Sequence, residues 1–173
     1  MTALEPARYV LAVDGGLIEA TGCLGYDTHF EHVRDSSRNL LHAMEELVAR
    51  LNRPDEGDPA KIDLDRQMVV INTEFGRSPY RQGPDGTDHW PRGYATVLLG
   101  GPIGPAEAGV VGSMDERGIA TDYVSPAELR AGLLLAQGIW PFQPEAFGVG
   151  DMRVGETEIE AAAHLLQRVL GRS

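Results

Sequence analysis

The sequence is poor in cysteine, in positive charge and in long apolar runs, and each shortage excludes a class of protein. Cys23 is the only cysteine, so the chain can form neither an internal disulfide nor a cluster of thiolate metal ligands. Lysine and arginine total 15 against 26 acidic residues, a formal net charge of -11. That charge argues against a general affinity for nucleic acid or for an anionic membrane. No apolar run approaches the roughly 20 residues of a membrane span.

The N-terminus also lacks the features of an export signal. Its first residues, MTALEPARY, contain neither the basic region nor the apolar region of a signal peptide. As written, the chain is therefore expected in the cytoplasm. Its 173 residues fit one domain, covering 1–173, with enough length to bury a core.

Short apolar runs predict the strands. The runs at 8–16 (RYVLAVDGG), 67–72 (QMVVIN) and 95–101 (ATVLLGG) are continuous rather than alternating, as in strands buried on both faces. Residues 109–124 predict two short edge strands about a turn at 116–118.

Apolar spacing and capping residues predict three helices. Apolar residues three and four apart between 40 and 51 indicate an amphipathic helix. A second helix is predicted over 125–138, where Ser125 and Glu128 can form a capping box. A third is predicted over 157–170. Strands alternating with helices predict an α/β fold, with a mostly parallel sheet flanked by helices.

The connection between the second and third predicted strands is unusual. Residues 72–93, NTEFGRSPYRQGPDGTDHWPRG, form a polar stretch of about 20 residues, and loops of that length are usually functional or disordered. In open α/β sheets, sites form beyond the carboxyl ends of the strands. Asp27 and His29 follow the first predicted strand, Glu74 follows the second, and Asp88 and His89 precede the third. Carboxylates and imidazoles together suit Zn, Mn or Fe, so the sequence predicts a metal site there.

Each of these residues also has a simpler interpretation. Asp27-Thr28-His29 is equally compatible with a helix-capping turn. Glu74 alone is typical of a solvated loop carboxylate. A further alternative is a purely structural loop in which Asp88, Arg77 and Glu74 form salt bridges. His42 and His164 lie in predicted helices and are expected to be a surface residue and a packing residue.

Four phrases, taken in order, resemble a known family. They are GYDTH (25–29), TEFGRSP (73–79), GTDHWPRG (86–93) and VSPAELRAGLL (124–134). Together they resemble the bacterial domain-of-unknown-function 1501 family over about residues 8–140, most of the chain. That family looks like a distant branch of the alkaline phosphatase and sulfatase superfamily. The resemblance implies the C-terminal half of that fold and a role in metal-dependent hydrolysis of phosphate or sulfate esters.

The resemblance also implies roles for individual residues. It implies a divalent metal (Zn, Mn or Fe) held by four ligands: Asp27, His29, Glu74 and His89. Asp88 would orient His89, as metal-bound histidines require. Arg77 would meet the oxyanion of a small anionic ester, since its planar fork matches phosphate or sulfate.

Two departures from the superfamily pattern change the expected activity. Phe75 follows Glu74 where the superfamily has a histidine. The superfamily nucleophile and its first metal carboxylate come from an N-terminal half that would precede residue 8, and full-length relatives resemble exported proteins. We therefore expect little hydrolysis from this chain alone, and completion by an N-terminal half or a homo-oligomer. The alternative is a non-catalytic module that binds a metal or an anion or serves in assembly.

Overall fold

The computed structural model describes residues 9–14, 29, 34, 36–73, 75–101, 103, 109–142 and 157–172. In these ranges the helices are α1 (Ser37–Ala49), α2 (Pro126–Ala136) and α3 (Glu158–Leu170). The strands are β1 (Met68–Ile71), β2 (Gly76–Gln82), β3 (Gly86–Trp90), β4 (Val97–Gly100), β5 (Ser113–Met114) and β6 (Ala120–Asp122). The chain divides into two compact units. Unit 1 comprises Met1–Gln67 with Ile71–Thr96, and unit 2 comprises Met68–Val70 with Val97–Ser173.

The predicted mostly parallel sheet flanked by helices is wrong. The described strands form three separate two-stranded sheets, β1–β4, β2–β3 and β5–β6, and the last two are antiparallel. Residues 9–14, within the first predicted strand, form no strand and are exposed throughout. An apolar run reports only that a segment suits a buried strand. It does not say which partner, if any, the segment pairs with, and that missing information is why the sheet was misjudged.

The predicted loop at 72–93 is instead largely a β-hairpin. Strand β2 pairs with β3 from Gly76↔Trp90 to Gln82↔Gly86. The connecting residues begin with Gly83 at φ 68°. The sequence Gly-Pro-Asp-Gly is typical of a turn, because glycine tolerates positive φ and because proline and aspartate favour turns. Both strands are mostly polar and neither alternates buried with exposed residues, so they lack the apolar alternation that identifies a strand in a sequence.

A β-bulge interrupts this hairpin. Arg77 pairs with His89 and Arg81 with Thr87, so four steps along β2 match two along β3. Pro79 lies in this bulge. Because the bulged residues are not paired across the hairpin, the missing N–H of proline removes no hydrogen bond between the strands. The N–H of Tyr80 donates instead to the Ser78 hydroxyl over 3.1 Å. The Tyr80 N–H therefore has a hydrogen-bond partner within the bulge, and Arg77 lies opposite His89.

In unit 1, helix α1 confirms the predicted amphipathic helix. Ser36, directly before the helix, already has helical backbone angles and makes no capping bond with its side chain. After the helix, Leu51 forms a parallel bridge with Ile62. Asn52 closes the intervening loop by exchanging two hydrogen bonds with the backbone of Asp58.

In unit 2, α2 and α3 pack together and both confirm their predictions. Each begins with a complete capping box, Ser125 with Glu128 and Thr157 with Glu160. Each box satisfies two backbone donors that a helix start would otherwise leave without partners. The buried core lies between these helices and the segment after α2: Ala131, Phe142, Ala161, Ala162 and Leu165.

The contact between α2 and α3 is close at Gly132. A Cβ atom on this residue would lie 2.9 Å from Cγ1 and 3.0 Å from Cβ of Val169. Glycine costs about 1 kcal/mol relative to alanine inside a helix. The Val169 side chain explains why α2 carries one, since it fills the space that a side chain at position 132 would need.

The predicted edge strands at 109–124 are confirmed as β5 and β6, which pair about the turn at 116–118. Asp115 organises this turn, because its Oδ1 accepts the N–H groups of Arg117 and Ile119, each over 2.9 Å. No helix among the described residues is long and apolar enough to cross a membrane.

Candidate metal centre

Two histidines distant in sequence meet at the β2–β3 hairpin. The Nε2 atoms of His29 and His89 lie 3.0 Å apart, although 60 residues separate them along the chain. Their ring centroids are 4.8 Å apart and the rings are inclined by 49°. His29 is half-buried and His89 is exposed. The pair therefore presents two imidazole nitrogens to one point at the surface of unit 1.

Asp88 adds a carboxylate to this pair. One donor atom from each of His29, Asp88 and His89 lies within 4.8 Å of the other two. The Oδ1 atom of Asp88 accepts the backbone N–H of His89 over 2.7 Å. This bond holds the carboxylate beside the ring of its neighbour. Two imidazoles and one carboxylate are a donor set that Zn and Fe accept.

Gln82 fixes the other side of the His29 ring. Its Oε1 atom lies 2.8 Å from Nδ1 of His29. Gln82 is the last residue of β2 and pairs with Gly86 across the hairpin end. Gln82 was not predicted from the sequence, because a polar residue near a turn carries no signal that a histidine 53 positions earlier will contact it.

The hairpin end also contacts the backbone of His29. A Cβ atom on Gly86 would lie 1.8 Å from the carbonyl oxygen of His29. Only a residue without a side chain fits there. The turn sequence Gly-Pro-Asp-Gly thus has two functions, since its first glycine allows the turn and its last allows His29 to approach.

Phe75 packs on the other histidine. Its ring centroid lies 4.4 Å from that of His89, with the planes inclined by 47°. The position where the resemblance expects a metal-binding histidine is therefore occupied by an apolar ring in contact with the site. Phe75 limits the orientations open to His89 and supplies no ligand.

Arg77 is bonded within the hairpin. Its Nε donates to Thr87 Oγ1 over 3.4 Å, and a terminal nitrogen of the guanidinium donates to the Thr87 carbonyl oxygen. The side chain is half-buried. Contact with an oxyanion would have to share or replace these bonds, and that role stays a prediction.

Asp27 and Glu74 lie outside the described residues. Of the four ligands implied by the resemblance, the structure thus describes His29 and His89 and brings them together. Asp88, expected only to orient His89, comes within reach of the same point.

A family comparison covers the whole of this site. The model of the family described as "Protein of unknown function (DUF1501)" matches residues 11–168. The chain belongs to this family. The match extends well past the four phrases that suggested it and includes the hairpin, both capping boxes and most of α3. No curated protein and no solved structure matches the chain.

A second polar contact, in unit 2 of this DUF1501 member, was also not predicted from the sequence. Nε2 of His164 lies 3.3 Å from Oε1 of Glu128, whose side chain is only 9% exposed. The other carboxylate oxygen of Glu128 accepts the N–H of Ser125 over 2.7 Å. Glu128 was predicted as a capping residue alone, and His164 as a packing residue. The contact joins the start of α2 to the middle of α3.

Proposed function

We propose that this DUF1501 chain binds one divalent transition-metal ion, of the Zn, Mn or Fe class, between His29, His89 and Asp88. The observation that carries the proposal is the 3.0 Å approach of the two Nε2 atoms, with a carboxylate in reach of both. A hydrogen bond between the rings accounts for the contact without a metal, and a shared ion would take its place as the common partner of both nitrogens.

The spacing of the donors supports this proposal. Zn–N bonds of about 2.0–2.1 Å at tetrahedral angles place two ligating nitrogens about 3.3–3.4 Å apart. The observed 3.0 Å requires the rings to separate by only a few tenths of an ångström. Such a shift is within the freedom of two side chains of which one is exposed.

The ligand number suggests what the ion would do. Three protein ligands leave one position of a tetrahedral site open, as catalytic zinc sites do and structural ones do not. Two neutral imidazoles and one carboxylate would give a bound divalent ion a net charge of about +1. That charge favours an anionic ligand at the open position. Binding of a small anion, such as a phosphate or sulfate ester, therefore accompanies the proposal.

The second candidate function is metal-dependent ester hydrolysis. It rests on the resemblance to the alkaline phosphatase and sulfatase superfamily, and the open coordination position and Arg77, paired with His89, favour it. A two-metal hydrolase would need a further ion about 3.5–4 Å away and a nucleophile. On this proposal Asp27 and Glu74 complete the ligand set, and an N-terminal half or a second copy of the chain supplies what remains.

Metal content after loading tests the first proposal. The purified chain would be incubated with zinc, dialysed and measured by elemental mass spectrometry, beside His89→Ala and His42→Ala. We expect close to one zinc per chain in the wild type, loss in His89→Ala and retention in His42→Ala, since His42 is an exposed residue of α1. Wild-type protein without bound metal, or equal metal in both variants, would refute the proposed site.

Ester turnover separates the two candidates. Zinc-loaded wild type would be assayed with p-nitrophenyl phosphate and p-nitrophenyl sulfate, with His89→Ala as the control. Turnover that disappears in His89→Ala would establish hydrolysis. Bound metal without turnover, even when a candidate N-terminal partner is added, would assign the chain to the non-catalytic binding modules.

A further inference from the structure

Gln82 and His29 form a hydrogen bond whose direction is set by chemistry. The partner atom of Gln82 is the carbonyl oxygen Oε1, 2.8 Å from Nδ1 of His29. A carbonyl oxygen can only accept, so Nδ1 must carry the proton. In a neutral imidazole one nitrogen donates and the other accepts. Nε2 of His29 therefore carries the lone pair.

The second contact of the ring fits this assignment. Nε2 of His29 lies 3.0 Å from Nε2 of His89, and one of these two nitrogens must donate to the other. Because the lone pair is on His29, the donor is His89. The two histidines are consequently not equivalent. His29 already offers the nitrogen that a metal would use, whereas His89 must give up its Nε2 proton first.

We propose that Gln82 is a positioning residue that holds His29 in the tautomer offering Nε2 to a metal ion. The inference rests on the proposed metal site. Gln82 does not touch the ion itself. It acts through His29, as the hydrogen-bond partners of metal-bound histidines generally do by fixing the tautomer and the orientation of the ring.

The hairpin gives Gln82 the rigidity that this role needs. Its backbone pairs with Gly86, and Gly86 lies against the carbonyl oxygen of His29. The same hairpin end therefore fixes the backbone of His29 through Gly86 and its ring through Gln82. Two contacts on opposite parts of one residue leave little freedom for the ring to turn, so Nε2 stays directed at the site.

Two substitutions separate the hydrogen bond from the size of the side chain. Gln82→Leu removes the acceptor while keeping a side chain of similar bulk. Gln82→Glu keeps an acceptor, and a carboxylate partner makes a metal-bound histidine more basic. Because Gln82 is solvent-exposed, neither change disturbs a buried core.

The tautomer is measurable without any metal. Long-range ¹H–¹⁵N correlation spectra of the ¹⁵N-labelled, metal-free chain in mildly alkaline buffer identify the protonated nitrogen of each histidine. We expect His29 to carry its proton on Nδ1 in the wild type and in Gln82→Glu, and to lose that fixed tautomer in Gln82→Leu. The signals of His42 and His164 should not change and serve as the internal control.

Two results would overturn the inference. One is a wild-type His29 protonated on Nε2. The other is a Gln82→Leu variant that keeps the wild-type tautomer. If circular dichroism shows that the leucine variant does not fold, the spectra of the wild type and of Gln82→Glu still show which nitrogen of His29 carries the proton.

Zinc affinity provides the second measurement. Isothermal titration should show Gln82→Leu binding about 10–100-fold more weakly than the wild type, and Gln82→Glu at least as tightly. Equal affinity in the wild type and Gln82→Leu would refute the positioning role while leaving the metal site intact. A wild type that binds no zinc would refute the metal site. The spectra would then test only whether the bond from His29 to Gln82 fixes the tautomer of His29.

Discussion

The carbonyl oxygen of His29 lies against the α-carbon of Gly86, 1.8 Å from where a Cβ atom would be. Real Cβ contacts essentially never fall below 3.0 Å, so no other residue type fits at position 86 without moving one of the two segments. The proposed metal site thus depends on a glycine that supplies no ligand.

Replacing Gly86 tests this dependence. In Gly86→Ala the methyl group must displace the His29 backbone or the hairpin end, which separates the two Nε2 atoms. We expect at least about a tenfold loss of zinc affinity, as for other disturbed supports of metal ligands, and about 1–3 kcal/mol loss of stability. Isothermal titration and urea unfolding measure the two effects.

Gly109→Ala is the matched control for that substitution. Among the residues that the structure describes, an added Cβ at Gly109 meets nothing within 4 Å, and its φ is not in the left-handed region. It should leave both quantities within error of the wild type. Wild-type zinc affinity in Gly86→Ala would show that the close contact does not position His29.

Glu128 should contribute more to stability than the equivalent residue of the other capping box. Its buried carboxylate accepts from Ser125 and contacts His164, so Glu128→Ala leaves both without that partner. We expect a loss of about 1–2 kcal/mol. Glu160→Ala removes the corresponding bond to Thr157 at an exposed position, and should cost about 0.5–1 kcal/mol. Urea unfolding of both variants compares them, and the reverse order would contradict the expectation.

The contact between Gly132 and Val169 predicts an interaction between two substitutions. Gly132→Ala improves helix propensity by about 1 kcal/mol, but its Cβ would press on Val169, an overpacking cost of about 1–3 kcal/mol. We expect a net loss in the single variant and recovery when Val169→Ala is added. A double-mutant cycle by thermal unfolding measures the coupling, and strictly additive effects would count against the clash.

The turn between β5 and β6 predicts a pH effect. The N–H of Ile119 is the main cause of a lowered pKa for Asp115, and Arg117 lowers it further through side-chain and backbone bonds, while desolvation opposes them. Since the folded pKa lies below the usual 3.8, the carboxylate contributes stability above that value. The contribution is lost as the pH falls through the folded pKa.

A carboxyl ¹³C titration of the folded chain measures that pKa directly. We expect a midpoint below 3.8 for Asp115, and a shift toward that value in Arg117→Ala, which removes the side-chain bonds and leaves the Ile119 bond. The Asp115→Asn variant should lose less stability than the wild type on acidification. A midpoint at or above 3.8 would contradict the role of the turn.

The helices were predictable because their signals are local. Ser125 with Glu128 lies within one helical turn, and such a box acts through backbone groups three residues apart. The apolar periodicity of α1 and α3 is likewise contained in about a dozen residues. The β5–β6 hairpin was predicted from a turn only three residues long, for the same reason.

The sequence predicted a loop rather than the β2–β3 hairpin, because its two strands show no regular apolar pattern. Gly83 and the following Pro-Asp-Gly are a turn signal, but the flanking strands are mostly polar and have no regular buried face. Without one buried face, neither strand shows the period of two that marks a strand. The bulge at Ser78 to Tyr80 shifts the register further from any regular pattern.

By itself, the sequence determined the family, the three helices, the Ser125–Glu128 cap and the turn at 116–118, because each depends on residue identity or on neighbours a few positions away. The metal-binding role of His29 and His89 stays a prediction. Only the tertiary structure decided that the described sheets are small and separate, that His29 meets His89 across 60 residues, and that Gln82 and Gly86 contact His29. These features depend on which distant segments come together. The free energy that stabilises these features comes from contacts between distant segments. A pattern within one segment therefore does not predict them.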